Sequence, residues 1–177
     1  MEPSTEGRMT ILEQKFHEKT DEERAAIRLS DFGIVSQQGN MHPFLTVRDN
    51  LYLKEIYSKK LEKKGSTSKE KQVLLDAFSI AHKQNNNPLE LSGGELQRAM
   101  LAMANNGTPK ILFLDEPTAN LDSELVEQVI EELYNLHEET NQTVVIATHN
   151  ITMIREKTRA IELIDGKINR DGLVVKK

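Results

Sequence analysis

The stretch "KILFLD" at 110–115 limits the fold of this 177-residue chain more than any other. Four apolar residues in a row, closed by acidic ones and then Pro117, read as a short strand buried on both faces. A second run, "TVVIAT" at 143–148, has the same layout and ends on His149. Between them the apolar spacing predicts a helix from about Ser123 to Glu139. Two buried strands joined by such a helix point to a parallel sheet, because neighbouring parallel strands need a long crossover.

The rest of the chain agrees with that class. "RMTILEQ" near residue 8 reads as a short strand, and "TDEERAAIRL" as a helix opened by Thr20 and Glu23 in capping-box spacing. "FGIVS" at 32–36 is a further buried strand. Helices are expected from Thr46 to about Lys60, with Val47, Leu51 and Ile56 on one side, and from a Ser68 cap to about Lys83. The latter would carry Val73, Leu74, Ala77, Phe78 and Ala81. "LEKKGSTSKEK" is a polar loop, "QNNNP" a break, and another helix follows Ser92. A short helix after Asn150 precedes "AIELIDGKINR", where Asp165-Gly166 between two strand-like runs signals a hairpin. Neither an internal repeat nor a sustained heptad pattern is present.

Composition narrows the chemistry. Without cysteine there is no disulfide framework and no thiolate metal site. The 23 basic and 28 acidic residues are well mixed, net −5, which argues against a nucleic-acid surface. "AMLAMA" and "ILFL" are far too short to span a bilayer, and the N-terminus lacks a signal-peptide pattern. The expectation is a soluble, cytoplasmic, single-domain chain.

Ligand sites in open α/β sheets lie at the carboxyl ends of strands, where the sequence places Asp115, Glu116 and His149. Two adjacent carboxylates repel unless one faces a cation. Mg²⁺ held by Asp115, with Glu116 polarising a water, accounts for the pair. A solvated polar turn at Pro117 accounts for it equally well, and a lone histidine at a strand end is more often structural. In "LSGGE", Ser92 and Glu95 have capping-box spacing, while Gly93 and Gly94 leave backbone N–H groups bare at a helix N-terminus, an anion site suited to phosphate. In "IVSQQ", Gln37 and Gln38 end a strand before a loop, and a surface turn is the simplest reading.

Taken in order, these segments resemble the nucleotide-binding domain of ATP-binding-cassette (ABC) ATPases along nearly the whole chain. "LSGGE" is similar to the signature loop, "ILFLDEP" to the Walker B strand, "TANLD" to the D-loop, "IATHN" to the switch-histidine segment and "IVSQQ" to the Q-loop. The resemblance implies a P-loop NTPase-like α/β sheet over 1–177 with a helical signature subdomain inserted at about 40–105. It implies ATP and Mg²⁺ as ligands: Asp115 on the metal, Glu116 as general base, His149 on the γ-phosphate, and Gln37 sensing Mg²⁺ and the attacking water. Ser92, Gly93 and Gly94, with Glu95 beside them, would meet a nucleotide held by the opposite subunit, and Asp122 would communicate across that interface. The implied partners are a transmembrane permease subunit and a second nucleotide-binding domain, with no nucleic acid. The implied place is the cytoplasmic face of the membrane. "PTANLDS" and "HPFLTVRDNL" resemble the lipoprotein-release and peptide-export branch. Glu95, Met103 and Ser36 depart from the commonest family residues, which blurs the subfamily.

A larger departure is the phosphate-binding loop. No G-x-x-x-x-G-K-S/T segment occurs in the 177 residues: Gly166-Lys167 is followed by Ile168, and "GSTS" lacks the lysine. "MEPSTEGRMTILEQ" resembles the family segment just after the Walker A helix, so the expectation is an incomplete copy lacking the first strands, the P-loop and its helix. Removing such a strand would expose apolar faces and unpaired edges, so an aggregation-prone or partly molten chain, inactive alone, is expected. Two other readings compete: a non-catalytic partner donating its signature loop to a complete paralogue, and the C-terminal half of a chromosome-maintenance or DNA-repair ATPase. The Q-loop and signature lie close together with no heptads between them, which speaks against the second.

Overall fold

The computed structural model describes residues 7–36, 39–59, 67–119, 121 and 123–174. At its centre is a three-stranded parallel sheet in the order β3 (Phe32–Val35), β4 (Ile111–Asp115), β5 (Thr143–Ala147). The register pairs Phe32 with Ile111 and Ile111 with Thr143, so the three carboxyl ends finish at one edge. β4 is the middle strand, and its Ile111, Leu112 and Leu114 are buried as an unbroken apolar run demands. β5 differs. Val144 and Ile146 pack on the core, but Val145 on the opposite face is 45% exposed, and the strand's outer edge has no partner among the described residues.

Local signals set most helices. α1 (Asp21–Asp31) starts at Thr20, whose hydroxyl accepts from the Glu23 amide while the Glu23 carboxylate accepts from the Thr20 amide. α2 (Val47–Lys59) buries Val47 and Leu51, and α4 (Gly93–Asn105) buries Ala99, Leu101 and Ala102. α5 (Ser123–Thr140) buries Val126, Val129, Ile130 and Leu133, a 3–4 spacing that lays one stripe on the core. Asn50 is fully buried and satisfied: its Oδ1 accepts from the His42 amide, and its Nδ2 faces the carbonyls of His42, Leu45 and Thr46. That amide binds the loop before α2 to the helix itself.

Three expectations need correction. Ile56, expected on the same side of α2 as Val47 and Leu51, is exposed on the opposite face, nine residues and half a revolution from Val47. The N-terminal strand is a tight hairpin, β1 (Thr10–Ile11) and β2 (Gln14–Lys15), turned by Leu12 and Glu13 at φ 50° and 62°. Neither residue favours the left-handed region, and Leu12 is drawn there by packing on the Phe16–Phe32–Ile111 cluster. The helix expected from Ser68 to Lys83 starts one residue earlier in its cap and ends sooner. Thr67 is the N-cap, in a capping box with Glu70, and α3 runs Ser68–Ala77. Ser79 at φ 52° then closes it in a Schellman motif: the Ile80 amide donates to Leu75 O and the Ser79 amide to Asp76 O. Ile80 and Leu75 are both buried there, whereas Val73 is exposed and off the core face.

The C-terminal hairpin forms as the sequence predicts. β6 (Arg159–Ile164) and β7 (Lys167–Leu173) are antiparallel, with Asp165 at φ 50° and Gly166 at φ 72° in the two-residue turn. Leu163, Ile164, Ile168 and Leu173 are exposed on it.

Candidate active site

The sheet brings Glu116 and His149 together. Asp115 pairs in register with Ala147, so the residues just past each strand end emerge side by side. Glu116 adopts φ 48°, and its amide donates to Ala147 O at 2.9 Å, which turns its side chain toward the end of β5. Glu116 Oε1 lies 2.7 Å from His149 Nδ1 and accepts from the His149 amide at 3.0 Å. Glu116 Oε2 accepts from Thr148 Oγ1 at 3.1 Å. Thr148 Oγ1 in turn accepts from the Asn150 amide, which fixes the hydroxyl.

Burial pushes the Glu116 carboxyl upward, but hydrogen bonds from the His149 ring, the His149 amide and Thr148 outweigh it. The net result lies below the usual carboxylate range, so Glu116 is ionised at neutral pH. The His149 side chain is 86% exposed against 18% for Glu116, so the imidazole covers the carboxylate from the solvent side. The Asp115 carboxylate is exposed beside them and makes no hydrogen bond or ion pair with a described residue. Those residues hold no group of three metal-binding side chains. One unengaged carboxylate nevertheless suits Mg²⁺, which takes one or two carboxylates and completes its shell with water and substrate phosphates.

The helix start at Ser92 is preformed. Ser92 Oγ accepts from the Glu95 amide, and the Ser92 amide donates to Glu95 Oε2 at 2.9 Å. Glu95 Oε1 is held by Lys83 Nζ at 3.2 Å and by His82. The Ser92 amide above all, with the Ser92 hydroxyl and Lys83 adding to it against burial, pulls the Glu95 carboxyl down to about 2. The two glycines differ. Gly94 is buried, and a Cβ there would stand 2.8 Å from Leu125 Cδ1 of α5, so close helix packing calls for glycine. Gly93 and Ser92 are exposed at the helix end. Among the described residues no hydrogen bond or ion pair joins this helix end to Glu116 or His149.

Gln37, Gln38 and Asp122 lie outside the described residues. Sequence reasoning missed Asn40, whose Oδ1 accepts from the Ser36 amide and hydroxyl while its Nδ2 donates to Ile34 O, tying down the end of β3. It also gave Thr148 no role. A hydroxyl directly before His149 was the available signal.

Known proteins resemble this chain in sequence and in fold. A family profile described as ABC transporter matches residues 1–119. The uncharacterized ABC transporter ATP-binding protein MJ0796 of Methanocaldococcus jannaschii is 34% identical over 175 residues, 97% of this chain and 74% of its own. The lipoprotein-releasing system ATP-binding protein LolD 2 of Rhodopseudomonas palustris is 34% identical over 168 residues, 95% of this chain and 72% of its own. A dimeric post-hydrolysis structure of the MJ0796 cassette bound to ADP and Pi superposes with a TM-score of 0.83 at 33% identity, covering 98% of this chain and 75% of that one. The parallel sheet is therefore that of a P-loop NTPase-like ABC cassette. No described helix is long and apolar enough to cross a membrane. The chain belongs to the ABC transporter family of ATP-binding domains.

Proposed function

We propose that the chain is the ATP-binding subunit of an ABC transporter, coupling ATP binding and hydrolysis to transport at the cytoplasmic face of a membrane. The Glu116–His149 contact carries this reading. An ionised carboxylate that is partly shielded, yet reached through an exposed imidazole, can take a proton from a water attacking a γ-phosphate. His149 orients that carboxylate through Nδ1 and leaves Nε2 to face the phosphate. Asp115 would hold Mg²⁺, which neutralises charge on the phosphates. Gln37 would report the metal to a permease subunit, and Asp122 would act at the interface with a second nucleotide-binding domain. Relatives of the lipoprotein-releasing type favour that branch for this chain too.

A second reading is that the chain donates its signature loop to another cassette. The observation favouring it is the formed helix end at Ser92 and Gly93, alongside the lack of any phosphate-cradling loop in these 177 residues. Association tests both. Mixed with a complete ABC nucleotide-binding domain whose own catalytic glutamate is replaced by glutamine, this chain should join it in Mg²⁺–ATP and separate in ADP. Association indifferent to the nucleotide would refute the assignment.

A further inference from the structure

The signature turn carries a charge unfavourable to the phosphate it is read as meeting. Glu95 stands at the third position of α4, its Oε2 2.9 Å from the Ser92 amide. With its carboxyl drawn down to about 2, it is ionised at neutral pH. Glutamine would complete the same capping box without charge. A fixed anion on the turn repels a phosphate brought to the neighbouring Ser92 hydroxyl and Gly93 amide unless a cation offsets it.

That cation comes from another element. Lys83 Nζ stands 3.2 Å from Glu95 Oε1, the oxygen that the cap leaves over. The two side chains are only 31% and 17% exposed, so the pair is less screened than one on the open surface. His82 Nε2 lies 3.6 Å from the same oxygen, but it is 59% exposed and adds charge only when protonated. Lys83 ends the short turn Ala81–Lys83, and the chain holds it from both sides. Its amide donates to the carbonyl of Ile80, the buried residue that closes α3. The next residue, Gln84, accepts from the Arg48 amide on its carbonyl and from Arg48 Nε on its side chain. The ammonium therefore reaches the turn from a fixed base. Arg98 lies instead beside the buried Gly94, its Nη1 3.6 Å from where a Cβ there would stand.

We propose that Lys83 is a positioning residue of the signature turn: it holds Glu95 in its cap and cancels its charge, so that the turn accepts a phosphate. That role rests on the reading of Ser92–Gly94 as a nucleotide-contacting turn. What then governs phosphate approach is the net charge of the Lys83–Glu95 pair, which is zero with both residues present and zero again with both made neutral.

Association of the full chain with a complete ABC nucleotide-binding domain, its own catalytic glutamate replaced by glutamine, tests this through the ATP concentration needed for half-maximal complex. K83Q leaves the carboxylate uncompensated and should raise that concentration about tenfold, the scale of one unit charge near a phosphate. K83R should stay at the wild-type concentration. E95Q/K83Q, neutral again, should return to within about threefold of wild type although the ion pair is gone. A bridge that merely braced the turn would leave the double variant as impaired as K83Q. K83Q at the wild-type concentration, or an unrestored double variant, would overturn the compensating role alone. Wild-type association indifferent to ATP would instead overturn the nucleotide-contacting reading, and the role of Lys83 with it.

Discussion

Glu116 Oε1 and His149 Nδ1, 33 residues apart in sequence, lie 2.7 Å apart because β4 and β5 end in register. The carboxylate is oriented by three donors before any ligand arrives. A base so held needs little reorganisation when a water is placed against it.

E116Q keeps the shape and removes the base. Hydrolysis by an assembled site should fall about 10²- to 10⁴-fold with nucleotide affinity preserved. Because the folded carboxyl lies below its usual range, its stabilisation is present above that range and is lost as pH falls through the folded value. Thermal melts should lose this acid-side slope in E116Q. H149A, at an exposed position, should leave stability near wild type while the Glu116 value climbs back toward normal, as carboxylate NMR would record.

G94A tests why the signature turn has its second glycine. The new methyl meets Leu125 Cδ1 at 2.8 Å, an overpacking worth about 1–3 kcal/mol, set against about 1 kcal/mol of helix propensity gained. Urea unfolding should show net destabilisation in the wild-type background. In L125A the same substitution should turn neutral or stabilising, and additive effects would contradict the packing account.

The capping carboxylate predicts a separate acid transition. With Glu95 drawn down to about 2 by Ser92 and Lys83, its support for α4 is present above the usual carboxylate range and is lost as pH falls toward 2. S92A should remove about 1 kcal/mol at neutral pH and flatten that part of the profile, which calorimetry across acid pH can follow.

S79G should stabilise the chain. Ser79 holds φ 52° to close α3, a conformation that disfavours side-chain-bearing residues by about 1 kcal/mol. Chemical denaturation should show a gain of about that size, with an unchanged dependence on denaturant.

These residues show what could be read in advance. The parallel strands at 32–36, 110–115 and 143–148 were legible because uninterrupted apolar runs admit few other folds, and the capping boxes at Thr20 and Ser92 because a side chain three residues on completes each. The end of α3 was not legible, since Ser79 takes a glycine's role and tertiary burial of Ile80 decides the matter. The hairpin at Leu12-Glu13 escaped for the same reason: its turn lacks the usual residues, and a distant aromatic cluster fixes it. Strand ends could be placed, but the Glu116–His149 distance depends on register, which one sequence does not declare. Nor did Gly94 announce Leu125 as its reason, because helix packing pairs residues far apart in the chain.

Both readings have Ser92, Gly93 and Gly94 complete a nucleotide site carried by another cassette, and the account turns on that shared claim. It is tested most directly with a complete ABC ATP-binding subunit whose own signature serine has been replaced, so that its homodimer is inactive. Adding this chain should restore Mg²⁺–ATP hydrolysis, and adding the S92R form should not. A mixture that co-purifies yet hydrolyses no faster than the defective subunit alone would contradict the account.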